Sequence, residues 1–385
     1  MFLKRTRTQN VTTKDLFIGS VVNIFSRQMK IVEFADQFTK SCFQKEAQKT
    51  FAMIKPDAFM HIGKILSRIE SSDLVITRMK MLRMSLSDAQ EFYAEHKGKP
   101  FYEGLTSFIS SGYTIGMELI GKDAIWKWRD LIGPTNCQIA RMEKPDSIRA
   151  LFGTEGVRNA THGSDSEASA ERELTLYFSK FNYCPDFLIP ANMKENIRTQ
   201  PSINQNNIYG QKSGGYGYTS GYSGLGGFDL KGTSQSQPGN PQVSCIVLKP
   251  HLLREGKAGS TLDFILSKCQ NENLSIAAIE MFTLSKSEVE EFLEVYKEVL
   301  QEFSLMVDEL CGGSCIAVAI QGESLVVNAV RKICGPHDPQ IAKSLRGNSL
   351  RALYGKDKIR NGVHCTDLED DGMLECEYFF SIMQK

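Results

Sequence analysis

His162 and His364 hold the same place in two imperfect copies of one segment. Residues 147–178 align without a gap with residues 349–380, and twelve of the 32 positions are identical: Ser147, Arg149, Ala150, Leu151, Gly153, Arg158, Asn159, His162, Asp165, Glu167, Glu173 and Phe178. Ordinary residue usage would give roughly two matches by chance. A core alone would repeat apolar positions, whereas this repeat keeps Arg, Asn, His and Glu. That is the pattern of a duplicated chemical site.

The first copy belongs to a stretch that also supplies Lys55, Arg129 and Arg149, beside Asn159, His162 and Glu173. Three fixed cations repel one another unless a polyanion offsets them, and a phosphate chain is the common one. A histidine in such company could be a general base, a metal ligand or a nucleophile. Metal ligation is disfavoured, because no second His or Cys sits at ligand spacing. As a nucleophile, a neutral imidazole can attack a terminal phosphoryl group while the cations stabilise charge on the transferring oxygens. Glu173 could then hydrogen-bond the ring and fix its tautomer, with Ser164 supporting the carboxylate. The chain has no G-x-x-x-x-G-K-[ST] loop, so side chains rather than a glycine loop would hold a nucleotide. Any Mg2+ would ride mainly on the phosphates, since no carboxylate cage is visible.

Elements must bring these residues together. TFAMIK, ended by Pro56, suits a buried central strand, and SCIVLK, ended by Pro250, repeats it. Ser87-x-x-Gln90 and Ser285-x-x-Glu288 each predict a capped helix start, leading to Phe92 and Tyr93 in the first unit and Phe292 and Leu293 in the second. Strand-like stretches follow at Tyr113–Ile120 and Cys315–Ile320, then a second helix leading to an arginine. The predicted class is α+β, with two tandem ferredoxin-like (βαββαβ) units.

A chain of 385 residues predicts two to three domains. The boundaries read as a short leader at 1–46, a first unit at 47–180, a Gly/Ser/Tyr/Asn-rich tether at 181–242 and a second unit at 243–385. In the leader, strands are expected at Val21–Phe25 and Lys30–Phe34. The tether lacks the apolar surface to offset ordering entropy. Equal numbers of basic and acidic residues, 45 each, argue against a chain dominated by a nucleic-acid or membrane field. No apolar run reaches the ~18 residues of a membrane span, and the first ten residues lack a signal-type apolar stretch. The expectation is a soluble, intracellular protein whose ten cysteines stay reduced.

T-F-A-M-I-K-P-D at 50–57, R-N-A-T-H-G-S-D-S at 158–166 and S-A-E-R-E at 169–173 resemble the nucleoside diphosphate kinase family closely. The resemblance implies a ping-pong reaction in which ATP, with Mg2+, phosphorylates His162 and a nucleoside diphosphate then accepts the group. It implies that Lys55, Tyr93, Arg129, Thr135, Arg149 and Asn159 hold phosphates, ribose or the surroundings of the histidine. Phe101 would stack on the base, and Ser164 and Glu173 would support the ring. The stretch from Thr135 to Arg149 is longer than usual, with Cys137 where the family has proline, in a loop that takes part in the family's oligomer contacts.

The second unit keeps Lys249, Arg331, Arg351, Asn361, His364 and Glu375. It has His251 for Asp57, Leu293 for Tyr93, His337 for Thr135, Cys365 for Gly163 and Thr366 for Ser164. A slow or inactive second site is expected. The tandem arrangement with a short leading segment resembles the two-domain ciliary branch of the family, and the leader at 1–46, with FLKRTRTQNVTTKDLFIGSVVNIFSRQ, resembles part of a small β-rich module found in axonemal proteins. That implies the cytoplasm and the ciliary axoneme as location, with the centrosome or basal body as further sites. It also implies tubulin or ciliary microtubules as partners, no membrane, and pairing of the two units within one chain. The alternative is an axonemal scaffold with incidental kinase activity.

Overall fold

The computed structural model describes residues 48–189 and 242–384 and, ahead of them, 20–24, 27–36 and positions 11, 16, 18 and 39. A leading hairpin pairs β1 (Val21–Ile24) with β2 (Arg27–Lys30). The first domain follows as β3 (Gln48–Ile54), α1 (Ile62–Glu70), β4 (Val75–Leu82), α2 (Leu86–Phe92), α3 (Tyr102–Ser110), β5 (Thr114–Gly121), α4 (Ala124–Ile132), α5 (Cys137–Glu143), α6 (Ile148–Phe152), β6 (Thr161–Gly163) and α7 (Glu167–Thr175). The second repeats it as β7 (Gln242–Leu248), α8 (Pro250–Arg254), α9 (Ala258–Asn271), β8 (Ser275–Thr283), α10 (Lys286–Phe292), α11 (Phe303–Leu310), β9 (Ser314–Gly322), α12 (Val326–Cys334), α13 (Pro339–Leu345), α14 (Leu350–Tyr354), β10 (Val363–Cys365) and α15 (Asp371–Glu377). The expected βαββαβ skeleton is present in both, with extra helices between the strands.

Each domain contributes four antiparallel strands, and the two sets join edge to edge in the order β10-β7-β9-β8-β4-β5-β3-β6. Side chains alternate across a strand, so Ala52 and Ile54 of β3 face one core while Phe51 and Met53 face another. The first of these cores is shared: Ile65, Leu66 and Ile69 of α1 pack with Leu262, Ile265 and Leu266 of α9. The pairing of the two domains is therefore built into one hydrophobic core.

The joint is close to two-fold. Lys80 of β4 pairs with Glu280 of β8, and their charged groups lie 3.8 Å apart. Gln384 spans both, accepting from Lys80 at 3.0 Å and donating to Glu280 at 2.7 Å. A Cβ on Gly63 would strike the Asp263 backbone, and a Cβ on Gly259 would strike that of Ser67. Reciprocal glycines thus let α1 and α9 cross backbone to backbone. Glu70 then accepts from the N–H groups of Ala258 and Gly259 at 2.8 and 3.0 Å, satisfying two open donors at the start of α9.

Three sequence expectations are corrected. The first-unit capping box is Ser85 with Asp88, not Ser87 with Gln90: Ser85 Oγ accepts from Asp88 N at 3.1 Å, and Asp88 reaches back to Ser85 N at 3.1 Å. Aspartate at the third position does the work, so the helix starts two residues earlier. Ser285 and Glu288 form the box as expected. In the leader, the second strand is Arg27–Lys30 rather than Lys30–Phe34. There the Gln28 amide donates to Leu284 O at 2.7 Å and Cys311 O at 3.0 Å and accepts from Lys286 N at 3.1 Å, fastening the hairpin to the second domain.

Residues 181–189, read from composition as the start of the tether, are packed. Phe181 is buried in the first domain, and Phe187 lies in the core of the second against Phe380. These apolar anchors precede the Gly/Ser-rich stretch, and Gln242 at its far end already belongs to β7. The remainder of that stretch, 190–241, lies outside the described residues. The nine cysteines among the described residues form no disulfide with one another. No helix among them is long and apolar enough to cross a membrane.

Candidate functional site

Lys55 leaves the end of β3 in an extended conformation, and Pro56 starts a 3-10 turn immediately after it. The lysine is buried at 5 % exposure and donates to Asn159 Oδ1 at 2.7 Å and Val157 O at 3.1 Å. Its backbone N–H donates to Ala160 O at 2.8 Å. Ala160 has φ +66°, a left-handed conformation costing about 1–2 kcal/mol for a residue with a side chain. Asp57 Oδ2 offsets this by accepting the Ala160 N–H at 3.0 Å. That turn sets Asn159 on one side of the site and starts β6 on the other.

On β6, His162 pairs with Met53 of β3, and its carbonyl accepts from Trp128 Nε1 at 3.1 Å. The ring is held on three sides. Nε2 lies 2.9 Å from Glu173 Oε2 on α7, and Ser164 Oγ donates to that same oxygen at 2.7 Å. Phe92 and Tyr93, at the end of α2, meet the imidazole edge to face at 5.4 and 5.6 Å. Because the carboxylate accepts the serine proton, Nε2 must carry the hydrogen it shares with Glu173. Nδ1 is then the nitrogen with a free lone pair.

Arg149 projects from α6 and donates to Gly133 O at 2.9 Å, Thr161 O at 3.1 Å and Thr135 Oγ1 at 3.5 Å. Asn159 Nδ2 donates to Thr135 O at 3.1 Å. Four buried donors around the site, Arg149 Nε, Arg172 Nε and the Tyr93 and Thr161 hydroxyls, have no protein partner among the described residues. Buried donors that stay unpaired point to a ligand acceptor.

These groups enclose a cavity of about 430 Å³, within the range of small-ligand sites. Nine of the ten first-unit residues singled out from sequence line it: Lys55, Tyr93, Phe101, Arg129, Thr135, Arg149, Asn159, His162 and Glu173. The tenth, Ser164, sits behind Glu173 and is 1 % exposed. Phe101 is 45 % exposed at the rim, where a flat ring can stack on it.

The electrostatics fit an anion. Burial first, and Arg149 second, push the Lys55 ammonium down to about 7. Burial and the neighbouring Arg129 push Arg149 down to about 10. Burial, then the Glu173 charge, raise the Tyr93 phenol. A polyphosphate would reverse the first two effects by supplying the missing counter-charge. Among the described residues no group of three or more His, Cys, Asp or Glu side chains could hold a metal ion. Of the carboxylates lining the cavity, Asp165 is the one paired with a serine hydroxyl instead of a cation or the imidazole.

Sequence reasoning missed Arg172, on α7, and Glu95, both of which line the cavity. Arg172 Nη2 lies 2.9 Å from Glu95 Oε1 and 3.6 Å from Glu173 Oε1. Comparing the two internal copies filters Arg172 out, because Leu374 holds its place in the second.

The second site keeps much of the machinery without the space. His364 Nε2 lies 3.1 and 3.0 Å from the two Glu375 oxygens, and Thr366 Oγ1 donates to Glu375 Oε2 at 2.8 Å. Lys249 Nζ reaches Ile359 O at 2.8 Å, and Arg351 donates to Gly335 O at 2.7 Å. Yet the cavity lined by Lys249, Arg351, Asn361 and His364 measures about 30 Å³, the share of roughly one water molecule. Leu293 and Met306 line it as well, and the Tyr296 hydroxyl donates to Asp367 Oδ2 at 2.5 Å between two further lining residues. Arg331 turns to the Asp367 carbonyl at 2.9 Å and, like Glu375, does not line the space. Glu302 precedes α11 where Phe101 precedes α3, so no ring is offered to a base.

A family model described as nucleoside diphosphate kinase matches residues 48–183 and 242–384. Nucleoside diphosphate kinase homolog 7 of Mus musculus is 40 % identical over 382 residues, covering 99 % of this chain and 83 % of that protein. Nucleoside diphosphate kinase 6 of Homo sapiens is 40 % identical over 182 residues, covering 46 % of this chain and 93 % of that protein. A crystal form of the Aquifex aeolicus nucleoside diphosphate kinase is 42 % identical, covering 35 % of this chain and 96 % of that chain at a TM-score of 0.34.

Proposed function

Because the chain belongs to the nucleoside diphosphate kinase family, we propose that its first domain moves the γ-phosphoryl group of ATP to nucleoside diphosphates through His162. The observation that carries this reading is the Ser164–Glu173–His162 relay at a cavity lined with Lys55, Arg129 and Arg149. Glu173 holds the proton on Nε2, so Nδ1 attacks the terminal phosphorus. The N–P bond forms as the P–O bond to the leaving diphosphate breaks, and a second diphosphate takes the group back by the reverse path. Lys55, Arg149 and the Tyr93 hydroxyl stabilise charge on the transferring oxygens. Magnesium, bound to the phosphates, would add charge neutralisation there. Phe101 holds the base by stacking, which tolerates purines and pyrimidines alike.

A coupled assay with ATP and a nucleoside diphosphate tests the reading. The parent chain turns over and His162→Ala does not; equal rates would overturn it.

A second, compatible reading is an axonemal scaffold, favoured by a second domain that keeps its fold while its pocket is small. Cosedimentation with ciliary microtubules, unchanged in His162→Ala, is the expected result, and lack of association would exclude this role.

A further inference from the structure

We propose that Arg172 is a positioning residue for the transfer assigned to His162, an inference that rests on that assignment. It decides which oxygen of Glu173 meets the imidazole, and it ties that choice to the turn carrying Tyr93. Arg172 immediately precedes Glu173 on α7, and its guanidinium bridges three groups. Nη1 donates to Phe92 O at 3.0 Å, and Nη2 lies 2.9 Å from Glu95 Oε1 and 3.6 Å from Glu173 Oε1. Phe92 and Glu95 flank Tyr93, so one planar fork joins the wall over the imidazole to the carboxylate behind it.

The second domain is an internal control. There Leu374 stands for Arg172 and Val295 for Glu95, and both side chains are exposed, at 62 % and 67 %. The pair of charges is lost together. The carboxylate responds: Glu375 straddles His364 Nε2 almost evenly, at 3.1 and 3.0 Å. In the first domain Oε1 is drawn towards Arg172, and Oε2 alone takes the ring nitrogen and the serine hydroxyl. An ion pair at Oε1 biases the carboxylate towards this one orientation, so the Nε2–H it accepts keeps its direction and Nδ1 stays aimed.

The test uses the full chain with Arg172→Leu, Arg172→Lys and Glu95→Gln. In Arg172→Leu, the rate of His162 phosphorylation by ATP should fall about tenfold, with a smaller change in KM. The 15N spectrum of the His162 ring should lose its single Nε2–H tautomer. Arg172→Lys should recover part of the rate, since an ammonium cannot bridge three acceptors in one plane. Glu95→Gln should raise KM more than it lowers kcat, because it loosens the turn and spares the carboxylate. Parent rate and parent tautomer in a folded Arg172→Leu variant would overturn the inference. If the parent itself fails to phosphorylate His162, the kinase assignment fails; the ring spectrum then judges Arg172 alone, an unchanged tautomer in Arg172→Leu counting against it.

Discussion

The imidazole Nε2 of His162 lies 2.9 Å from Glu173 Oε2, and this one hydrogen bond decides which ring nitrogen keeps its free lone pair. Glu173→Gln keeps the shape but offers an amide that can donate to Nε2, which favours the wrong tautomer. A charge-assisted hydrogen bond contributes about 1.5–3 kcal/mol, so kcat should fall by roughly one to two decades. Steady-state kinetics with KM measured separately check it. Ser164→Ala, which only loosens the carboxylate, should lose less.

Lys55 supplies a pH signature. Its ammonium is buried against Arg149, with Asp57 and Cys137 also facing it, and titrates near 7. Above that pH the free protein holds mostly neutral amine, and a bound polyphosphate restores the proton. Nucleotide binding between pH 7 and 9 should therefore take up a proton, and KM should rise with pH over that range. Calorimetric titration in buffers of different ionisation enthalpy measures the uptake. The stability sign follows from a folded pKa below the unfolded one: the unfolded chain binds more protons between about 7 and 10.5, so stability rises with pH there. Lys55→Met should remove that contribution.

The crossing of α1 and α9 predicts a sharp contrast between two glycines. Gly63→Ala places a methyl group against the Asp263 backbone and should destabilise the chain by about 1–3 kcal/mol. Gly104, in α3, has open space around its missing side chain, so Gly104→Ala should gain about 0.5–1 kcal/mol. Denaturant melts of the two variants give the comparison.

Much of this was legible in the sequence, for identifiable reasons. The strands ending at Pro56 and Pro250 declare themselves through apolar runs, and the repeat of Arg, Asn, His and Glu exposes the chemistry at His162. Ser85 was overlooked because Asp88, a shorter partner than Glu or Gln, completes its capping box. Phe181 and Phe187 were hidden by the Gly-rich composition that follows them. The closure of the second site was only partly readable. The loss of Tyr93 and Thr135 equivalents is visible, whereas the Tyr296–Asp367 contact joins residues 71 positions apart and needs coordinates. Arg172 escaped for the opposite reason, being present in one copy alone.

The small second pocket predicts stoichiometry. Isothermal titration with a nucleoside diphosphate should find one site per chain, and His364→Ala should leave turnover unchanged. Tyr296→His together with Leu293→Ala should enlarge the space beside His364 and give a second, weaker site, read out by the same titration. Two equal sites in the parent would mean that the second domain opens on its own.

The most direct measurement is the position of the trapped phosphate. After incubation with γ-labelled ATP and an alkaline quench, peptide mapping should find one acid-labile phosphoryl group per chain, on Nδ1 of His162, and none on His364. Phosphate on His364 alone, or a His162→Ala chain that labels like the parent, would contradict the account.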